Sequence, residues 1–361
     1  MKNLFLVVLT FIFGSMTASV FGINPIVGGT ASTALNLIPK GVDGQVAMAG
    51  ITLTDLSAQL GAYSRKYEKE IWTGLFNSLQ AENYMTPVPN VQDQYASPSA
   101  EITDVLQPYQ SGWTPAGVVS FDARINKVFP IKFDIELDEL DEIERSYIGF
   151  MADETKQRKD WPIVKFIIEE LVKPKLIEEL DWAAYNAAYV APTPGTAGTP
   201  LTVADGIKTI IEAEILAGNL VPITVGALTP TTMVDKVELF VNSLPAKYRN
   251  KKMNLKMSTS NMEAYAVDYR DTYGLHNDYS AADTMKVWGK SNITIVPHDN
   301  MEGSDRFIAT PKGNDIKLYD KIYTPKSLNI QADKRTVNVF GDFKRGWGFK
   351  RLDILFVSDN A

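Results

Sequence analysis

The stretch that decides the fold is GWTPAGVVSFDARINKVFPIKFDIEL, residues 112 to 137. Apolar and polar residues alternate along two parts of it, from 119 to 125 and from 129 to 137. This alternation predicts two strands that each have one apolar face, with a turn at Asn126-Lys127. A ribbon of two strands cannot cover its own apolar face, so we expect an extended arm that lies on another domain or another chain.

Six apolar residues of this arm are the candidate subunit-interface residues. They are Trp113, Phe121, Ile125, Phe129, Ile131 and Phe133. Removing apolar surface from water contributes about 25 cal/mol per Å2. The arm therefore predicts a protein that covers these side chains by binding copies of itself.

One long helix is expected after the arm, over PIVKFIIEELVKPKLIEELDWAAYNAAY, residues 162 to 189. Apolar residues recur every three or four positions along it, which is the spacing of one buried helix face. Pro174 lies near its middle. An interior proline removes a hydrogen bond and clashes with the preceding turn, at a cost of about 3 kcal/mol. We therefore predict a bend or a break at Pro174.

The segments around the arm differ in character. Residues 22 to 50 are rich in glycine and small residues and predict an extended segment. The apolar positions from Thr54 onward predict an amphipathic helix of about seven turns. Residues 86 to 100 contain three prolines and predict a loop. Residues 138 to 148 predict the first turns of another helix.

The second half of the chain has an α+β pattern. Helices are predicted at Ile207 to Leu216, Met233 to Leu244 and Met262 to Tyr273, the last with a capping box of Ser260 and Glu263. Strands are predicted at Met253 to Met257, Asn292 to Val296, Arg306 to Ala309, Leu328 to Ile330, Thr336 to Phe340 and Lys350 to Val357.

Composition excludes several kinds of site. The 361 residues include no cysteine and two histidines, His276 and His298, which excludes disulfides, thiolate catalysis and cysteine zinc sites. The formal net charge of -7 argues against tight sequence-specific binding of nucleic acid, because such binding depends on positive charge that neutralises phosphates. A weakly acidic surface still permits non-specific proximity to packed nucleic acid.

The N-terminus has two interpretations. Leu4 to Phe13 is an uncharged apolar run that follows Lys2 and precedes small residues, so residues 1 to 22 resemble a short signal peptide. The run is too short to span a membrane. The alternative is an apolar N-terminal arm that packs under a neighbouring subunit, and the rest of the chain favours it.

The motifs of common enzymes are missing from the sequence. No G-x-G-x-x-G follows a predicted strand, and no G-x-x-x-x-G-K-[ST], G-x-S-x-G or H-E-x-x-H occurs. His298-Asp299 could form a base with its orienting carboxylate, but the sequence indicates no nucleophile to accompany them. We predict no catalytic residue, no cofactor and no metal site.

Clusters of like charge could bind ions. Five carboxylates lie together at Asp138, Glu139, Asp141, Glu142 and Glu144. They could bind a hard cation, but the solvated face of a helix is the favoured interpretation. Lys247 to Lys256 and Lys344 to Arg351 mix basic with aromatic residues and could contact nucleic acid. We favour a solvated surface or a subunit contact, because apolar strands need charged edges that limit unwanted pairing.

The order of these elements resembles the major capsid proteins of tailed bacteriophages, which have the Hong Kong 97-type fold. The resemblance rests on the helix from Thr54, the loop SGWTPAGVVSFDARINKVFPIKFDIELDEL and the helix WPIVKFIIEELVKPKLIEELDWAAYNA. DKVELFVNSLPAKYRNKKMNLKMSTSNMEAY is similar to the helix-strand-helix of the axial domain, and VNVFGDFKRGWGFKRLDI to the closing strands of the peripheral domain.

The resemblance implies an α+β fold in five parts. These are an N-terminal arm (residues 1 to 50), an amphipathic helix and connector (51 to 92), an extended β-hairpin loop (93 to 138), a peripheral domain with a long spine helix (139 to 225 and 322 to 361) and an axial domain (226 to 321). The short stretch before Thr54 implies that no cleavable scaffold domain lies upstream.

The resemblance also implies a function. The chain would assemble through pentamers and hexamers into the icosahedral shell of a virion, built in the host cytoplasm around double-stranded DNA. Its partners would be copies of itself, a separate scaffolding protein, a portal and decoration proteins, with no membrane partner. The alternative is a secreted or cell-surface structural protein of a bacterium, which the N-terminal apolar run favours, and an enzyme comes third.

Overall fold

A computed structural model describes residues 53–102, 105–138, 140–152, 161–274, 286–287, 290–321, 327–333 and 336–360. The predicted N-terminal arm, His276 and Glu139 lie outside the described residues. The described residues divide into two compact units, a larger one from residue 60 onward and a smaller one that contains residues 53 to 59. The contacts given below all belong to the larger unit.

The helices are predominantly in the first three quarters of the chain. They are α1 (Leu53–Asn77), α2 (Leu140–Phe150), α3 (Ile163–Phe166), α4 (Lys173–Asn186), α5 (Ile207–Leu216), α6 (Met233–Ser243), α7 (Ala246–Arg249) and α8 (Thr259–Tyr273). A π-helical segment at Ile167–Val172 joins α3 to α4, and 3-10 turns lie at Pro200–Thr202 and Asp299–Met301.

Within the described residues, the strands form two sheets and one hairpin. They are β1 (Thr86–Val88), β2 (Gln94–Ile102), β3 (Val119–Lys127), β4 (Phe129–Leu137), β5 (Met253–Ser258), β6 (Lys286–Val287), β7 (Lys290–His298), β8 (Ile308–Pro311), β9 (Asp315–Leu318), β10 (Leu328–Asp333), β11 (Thr336–Phe349) and β12 (Phe356–Val357). The first sheet has the order β1-β9-β11-β10, with β4 also paired to β11, and the second has the order β12-β8-β5-β7-β6. The hairpin consists of β2 and β3.

The amphipathic helix predicted from Thr54 is confirmed as α1. Its apolar side lies on the first sheet, where the Trp72 ring is 6.1 Å from that of Phe133 on β4 and 5.5 Å from that of Phe343 on β11. Glu68 is buried on the same side and accepts a hydrogen bond of 3.1 Å from the backbone N–H of Leu328 at the start of β10.

The two strands predicted in the arm are present, but they do not pair with each other. β3 pairs antiparallel with β2, from Gln94↔Lys127 to Ile102↔Val119, and β4 pairs antiparallel with β11. Only Val128 separates β3 from β4, which is too short a connection for a hairpin turn. The predicted turn at Asn126-Lys127 is therefore wrong, and the chain passes directly from the hairpin into the first sheet.

The loop predicted over residues 86 to 100 is also wrong, because it contains β1 and most of β2. β1 pairs only with β9 in the sheet order, and the hairpin has two strands. Both are therefore edge strands, on which proline is tolerated because one row of backbone N–H groups has no ladder partner. The prolines of this segment lower strand propensity without preventing the pairing.

The long predicted helix runs from Ile163 to Asn186 as α3, the π-helical segment and α4. The helix is not broken at Pro174, and the bend predicted there stays a prediction. Pro174 is the second residue of α4 and directly follows the π-helical segment. The wider π-helical turn directly before it replaces the predicted interruption.

The second half follows the predicted α+β pattern, with several corrections. Ser258 caps α8 by accepting a hydrogen bond of 3.3 Å from the backbone N–H of Asn261, so Ser260 is not the capping residue. Only Phe356–Val357 of the strand predicted at Lys350 to Val357 is formed. The short elements α7, β6 and β9 were not predicted, because two to four residues carry too little periodicity.

The sheets do not follow the predicted domain ranges at four strands. The first sheet contains β1, β4 and β9, which fall in the ranges predicted for the connector, the extended loop and the axial domain. β12 falls in the peripheral range but pairs with β8 of the second sheet. A buried ion pair also connects the sheets, with 2.6 Å between Lys256 Nζ on β5 and Asp315 Oδ2 on β9. The two sheets are therefore joined by both chain crossovers and charge.

A buried carboxylate binds three donors in the first sheet. Glu82 Oε1 accepts hydrogen bonds of 2.9 Å from Arg345 Nε and from Trp347 Nε1, both on β11. Glu82 Oε2 pairs with the same guanidinium and, at 3.3 Å, with Lys317 Nζ on β9. The Arg345 guanidinium stacks 4.2 Å from the Phe76 ring centroid. This cluster joins the end of α1 to two strands.

Replacing Glu82 with glutamine should lower the free energy of unfolding by about 3–5 kcal/mol, because Arg345 would stay buried without its counter-charge. Urea unfolding followed by tryptophan fluorescence measures the loss. Glu178→Gln is the matched control, since Glu178 pairs with Lys175 on an exposed helix face and should change the value by about 0.5 kcal/mol or less. Equal stability of Glu82→Gln and the wild type would contradict a structural role for the cluster.

Candidate self-association surface

The hairpin of β2 and β3 has one apolar and one polar face. Directly opposed residues of an antiparallel pair lie on the same face. The register therefore places Ala96 with Ile125, Pro98 with Ala123 and Ile102 with Val119 on one face. The opposite face carries Tyr95 with Asn126 and Ser97 with Arg124.

The apolar face is exposed to solvent. Phe121 is 80% exposed, Ile125 is 58% exposed and Ile102 is 57% exposed. Ala96, Pro98 and Ala123 on the same face are exposed as well. Isolated exposed apolar side chains are ordinary, whereas a contiguous exposed apolar patch marks an interaction surface. We call this set the apolar hairpin face: Ala96, Pro98, Ile102, Val119, Phe121, Ala123 and Ile125.

The end of the hairpin extends this surface. Leu106, Tyr109 and Trp113 are each more than nine-tenths exposed. Polar side chains hold the segment between them, because Gln107 Nε2 donates to the backbone oxygen of Thr114 and Gln110 Nε2 donates to the Thr114 hydroxyl. The aromatic side chains are thus presented outward on a hydrogen-bonded tip.

The polar face of the hairpin contacts the chain's own body at its base. Asn126 is buried, and its Nδ2 donates a hydrogen bond of 3.1 Å to the backbone oxygen of Phe349 on β11. A Cβ at Gly348 would collide with the Asn126 side chain, and one at Gly346 with the backbone oxygen of Lys127. Glycine at both positions lets the hairpin base cross β11 closely.

An ion pair fixes the hairpin further along β3. Arg124 Nη1 lies 2.7 Å from Glu214 Oε1 at the end of α5, and both side chains are about four-fifths buried. Burial raises the pKa of Glu214, but hydrogen bonds from Asn219 Nδ2 and Arg124 outweigh it, so the pKa lies below its ordinary value. The polar face is therefore tied to the body while the apolar face points away from it.

The six predicted interface residues fall into two groups. Trp113, Phe121 and Ile125 lie on the exposed hairpin. Phe129 and Ile131 are buried in the chain's own structure, and Phe133 contacts Trp72 of α1. The second group is covered because β4 pairs with β11 under α1, so we restrict the proposed interface to the hairpin residues.

Sequence reasoning missed the half of the surface that β2 contributes. Ala96, Pro98 and Ile102 alternate with polar residues, which was a strand signal, but the prolines favoured a loop. Leu106 and Tyr109 lie outside any strand, so periodicity could not identify them.

Other predicted sites look different in the structure. The His298 ring is buried, and desolvation with the nearby Lys256 charge lowers its pKa to about 3. Asp299 instead accepts a hydrogen bond from the Thr259 hydroxyl.

Within the described residues, no group of three or more His, Asp or Glu side chains could hold a metal ion. No helix among them has the length and apolar character needed to cross a membrane.

Comparison with known proteins identifies the fold. No family model matches the sequence, and neither does any curated protein. A chain from the satellite phage P4 procapsid, solved with the size determination protein, matches with a TM-score of 0.54 and 12% identity over 81% of this chain and 90% of that chain. A Gordonia phage Cozz chain gives a TM-score of 0.48 and 14% identity over 93% and 95%. One from the Myoviridae phage XM1 capsid gives 0.46 and 10% over 77% and 90%.

The first of these matches shows the fold class. The chain has the α+β capsid fold of the Hong Kong 97 type, as the order of elements predicted.

Breaking the Arg124–Glu214 pair should loosen the hairpin without unfolding the body. We expect Arg124→Ala to speed amide hydrogen exchange in residues 94–102 and 119–127, while the second sheet keeps its protection. The swap Arg124→Glu with Glu214→Arg is the control and should restore slow exchange, because it re-forms the pair. Unchanged exchange in Arg124→Ala would contradict the role of the pair.

The attachment of the hairpin through Arg124 and Glu214 should depend on pH. The folded pKa of Glu214 lies below its ordinary value of 4.5, so the stabilisation is fully present above 4.5 and is lost as pH falls through the lowered folded value. Hairpin exchange, corrected for the intrinsic rate, should therefore rise in acid in the wild type. Glu214→Gln should remove this rise, and a rise of the same size in that variant would assign it to another group.

Proposed function

We propose that this chain is a major capsid protein that assembles with copies of itself into a closed shell. The observation that carries the proposal is the apolar hairpin face, which the described part of the chain leaves uncovered although the opposite face is anchored to the body. The shared fold with a procapsid chain supports it.

The geometry favours association between different surfaces of identical copies. If the projecting hairpin of one copy binds a different surface of the next copy, the hairpin of that copy stays free to bind a third. Such heterologous contacts continue from copy to copy and close into rings or shells when the rotation allows. A stable contact of this kind buries roughly 800 Å2 on each partner.

The finer assignments follow from the fold and are part of the same proposal. The shell would be icosahedral, built from pentamers and hexamers in the host cytoplasm, and it would enclose the double-stranded DNA of a tailed phage. A separate scaffolding protein, a portal and decoration proteins would be its further partners. The first sheet would belong to the peripheral domain and the second sheet to the axial domain.

The non-enzymatic role is part of the proposal too. The fold supports a structural protein, and the exposed surface that the chain presents is suited to binding and not to chemistry. The sharpest test therefore removes binding at the hairpin and leaves the fold intact.

Phe121→Ser combined with Ile125→Ser should abolish assembly, because it removes the largest apolar side chains of β3 on that face. Electron microscopy and light scattering of the purified chain measure closed particles. Since both positions are exposed, the free energy of unfolding of the unassembled chain should change by less than about 0.5 kcal/mol.

Leu216→Ser combined with Val221→Ser is the matched control. Both side chains are more than four-fifths exposed but lie outside the hairpin, and this variant should still assemble. Normal particles from the hairpin variant would contradict the proposal, as would a wild-type chain that stays monomeric at high concentration.

A further inference from the structure

Three neighbouring strands of the second sheet bring lysines to one edge. Met253 at the start of β5 lies opposite Ile293 of β7 and Pro311 of β8. Lys252 therefore precedes β5 at the edge where Lys312 follows β8. Lys290 lies at the start of β7 on the same edge, since β5 and β7 are parallel.

A buried asparagine adds a lysine from the far end of the sequence. Asn314 is buried, and its backbone oxygen accepts a hydrogen bond of 2.9 Å from the backbone N–H of Lys350. Its side-chain Nδ2 donates to the backbone oxygen of Arg351 at 3.0 Å, and its Oδ1 accepts from the Arg351 N–H at 2.9 Å. Lys350 is thereby held beside the turn that contains Lys312.

Helix α7 and the residues directly after it contribute an aromatic ring with two more ammonium groups. Lys247 Nζ lies 5.5 Å and Lys251 Nζ 4.8 Å from the centroid of the Tyr248 ring. The ring itself packs 5.5 Å from Phe356 of β12. We call these six residues the basic edge: Lys247, Lys251, Lys252, Lys290, Lys312 and Lys350.

The positive charge of the basic edge is not neutralised by the described residues. None of its six lysines forms an ion pair with a carboxylate in the part of the chain that the structure describes. Residues 247 to 256, 286 to 298, 306 to 314 and 343 to 352 contain neither aspartate nor glutamate. This local excess stands against a net charge of -7 for the chain.

We propose that the basic edge binds the phosphate backbone of double-stranded nucleic acid without reading its sequence. Adjacent strands lie about 4.8 Å apart, so the edge presents a row of closely spaced ammonium groups. Duplex DNA carries one negative charge per roughly 1.7 Å of its axis. Lysine acts as a point charge without the fork geometry that distinguishes base edges, so the contact is independent of sequence.

The rest of the surface confines this contact to the edge. Because the chain is acidic as a whole, a polyanion is repelled elsewhere and binds only where positive charge is concentrated. Taken separately, the two lysine-bearing stretches indicated a solvated surface or a subunit contact, because apolar strands need charged edges that limit unwanted pairing. Their convergence around Asn314 favours a single binding surface, and this inference does not depend on shell assembly.

The test is binding of a short fluorescent DNA duplex to the unassembled full-length chain, measured by anisotropy at several salt concentrations. The variant Lys251→Gln, Lys252→Gln, Lys312→Gln should bind at least tenfold more weakly. The slope of log affinity against log salt concentration should be less steep for this variant, by up to about one unit for each lysine removed. Duplexes of different sequence should bind the wild type alike.

The matched control is Lys66→Gln, Lys69→Gln, Lys175→Gln, which removes the same charge from exposed helix positions. It should bind as the wild type does. Equal loss in both variants would overturn the inference, because it would assign binding to net charge. Failure of the wild type to bind DNA would also overturn the inference. Equally tight binding of polyglutamate would overturn it as well, because it would indicate an acidic protein partner.

Discussion

The rest of the structure depends on a hairpin that has one apolar and one polar face. A two-stranded ribbon is marginal in water when its apolar face is exposed. Here β2 and β3 keep such a face uncovered, with Phe121 four-fifths exposed. The ribbon is tolerated because its other face is held by buried polar groups, and association with copies of the chain would then bury the apolar one.

Strand β11 connects this hairpin to the rest of the fold. It pairs with β10, β4 and β9 along its length, and Phe349 at its end accepts the hydrogen bond from Asn126 at the hairpin base. The same strand carries Arg345, which binds the buried Glu82. The direction of the hairpin is therefore set by the rigid core of the first sheet, and Arg124 with Glu214 adds a second point of attachment.

Periodicity in the sequence located most elements but not their partners. The alternation after Val119 identified β3 and β4, yet their partners are β2 and β11, and no local pattern carries the pairing of distant strands. Pro98 concealed β2, because an edge strand tolerates proline that a propensity argument penalises. The same limit applies to the site. Phe121 and Ile125 were predicted as interface residues and lie on the exposed hairpin, whereas Phe129 was predicted with them although β4 belongs to the core. Pro174 predicted a bend or a break in the long helix. The chain instead continues through a π-helical turn before the proline, and composition gives no sign of such a turn.

The most direct measurement places a photo-cross-linking residue at position 121 of the full-length chain and analyses the product by mass spectrometry after illumination. The account predicts dimers and higher multiples in which position 121 is bonded to a second copy. Cross-links confined to the same chain, with product of single-chain mass only, would contradict it, because the apolar hairpin face would then be covered by the chain itself.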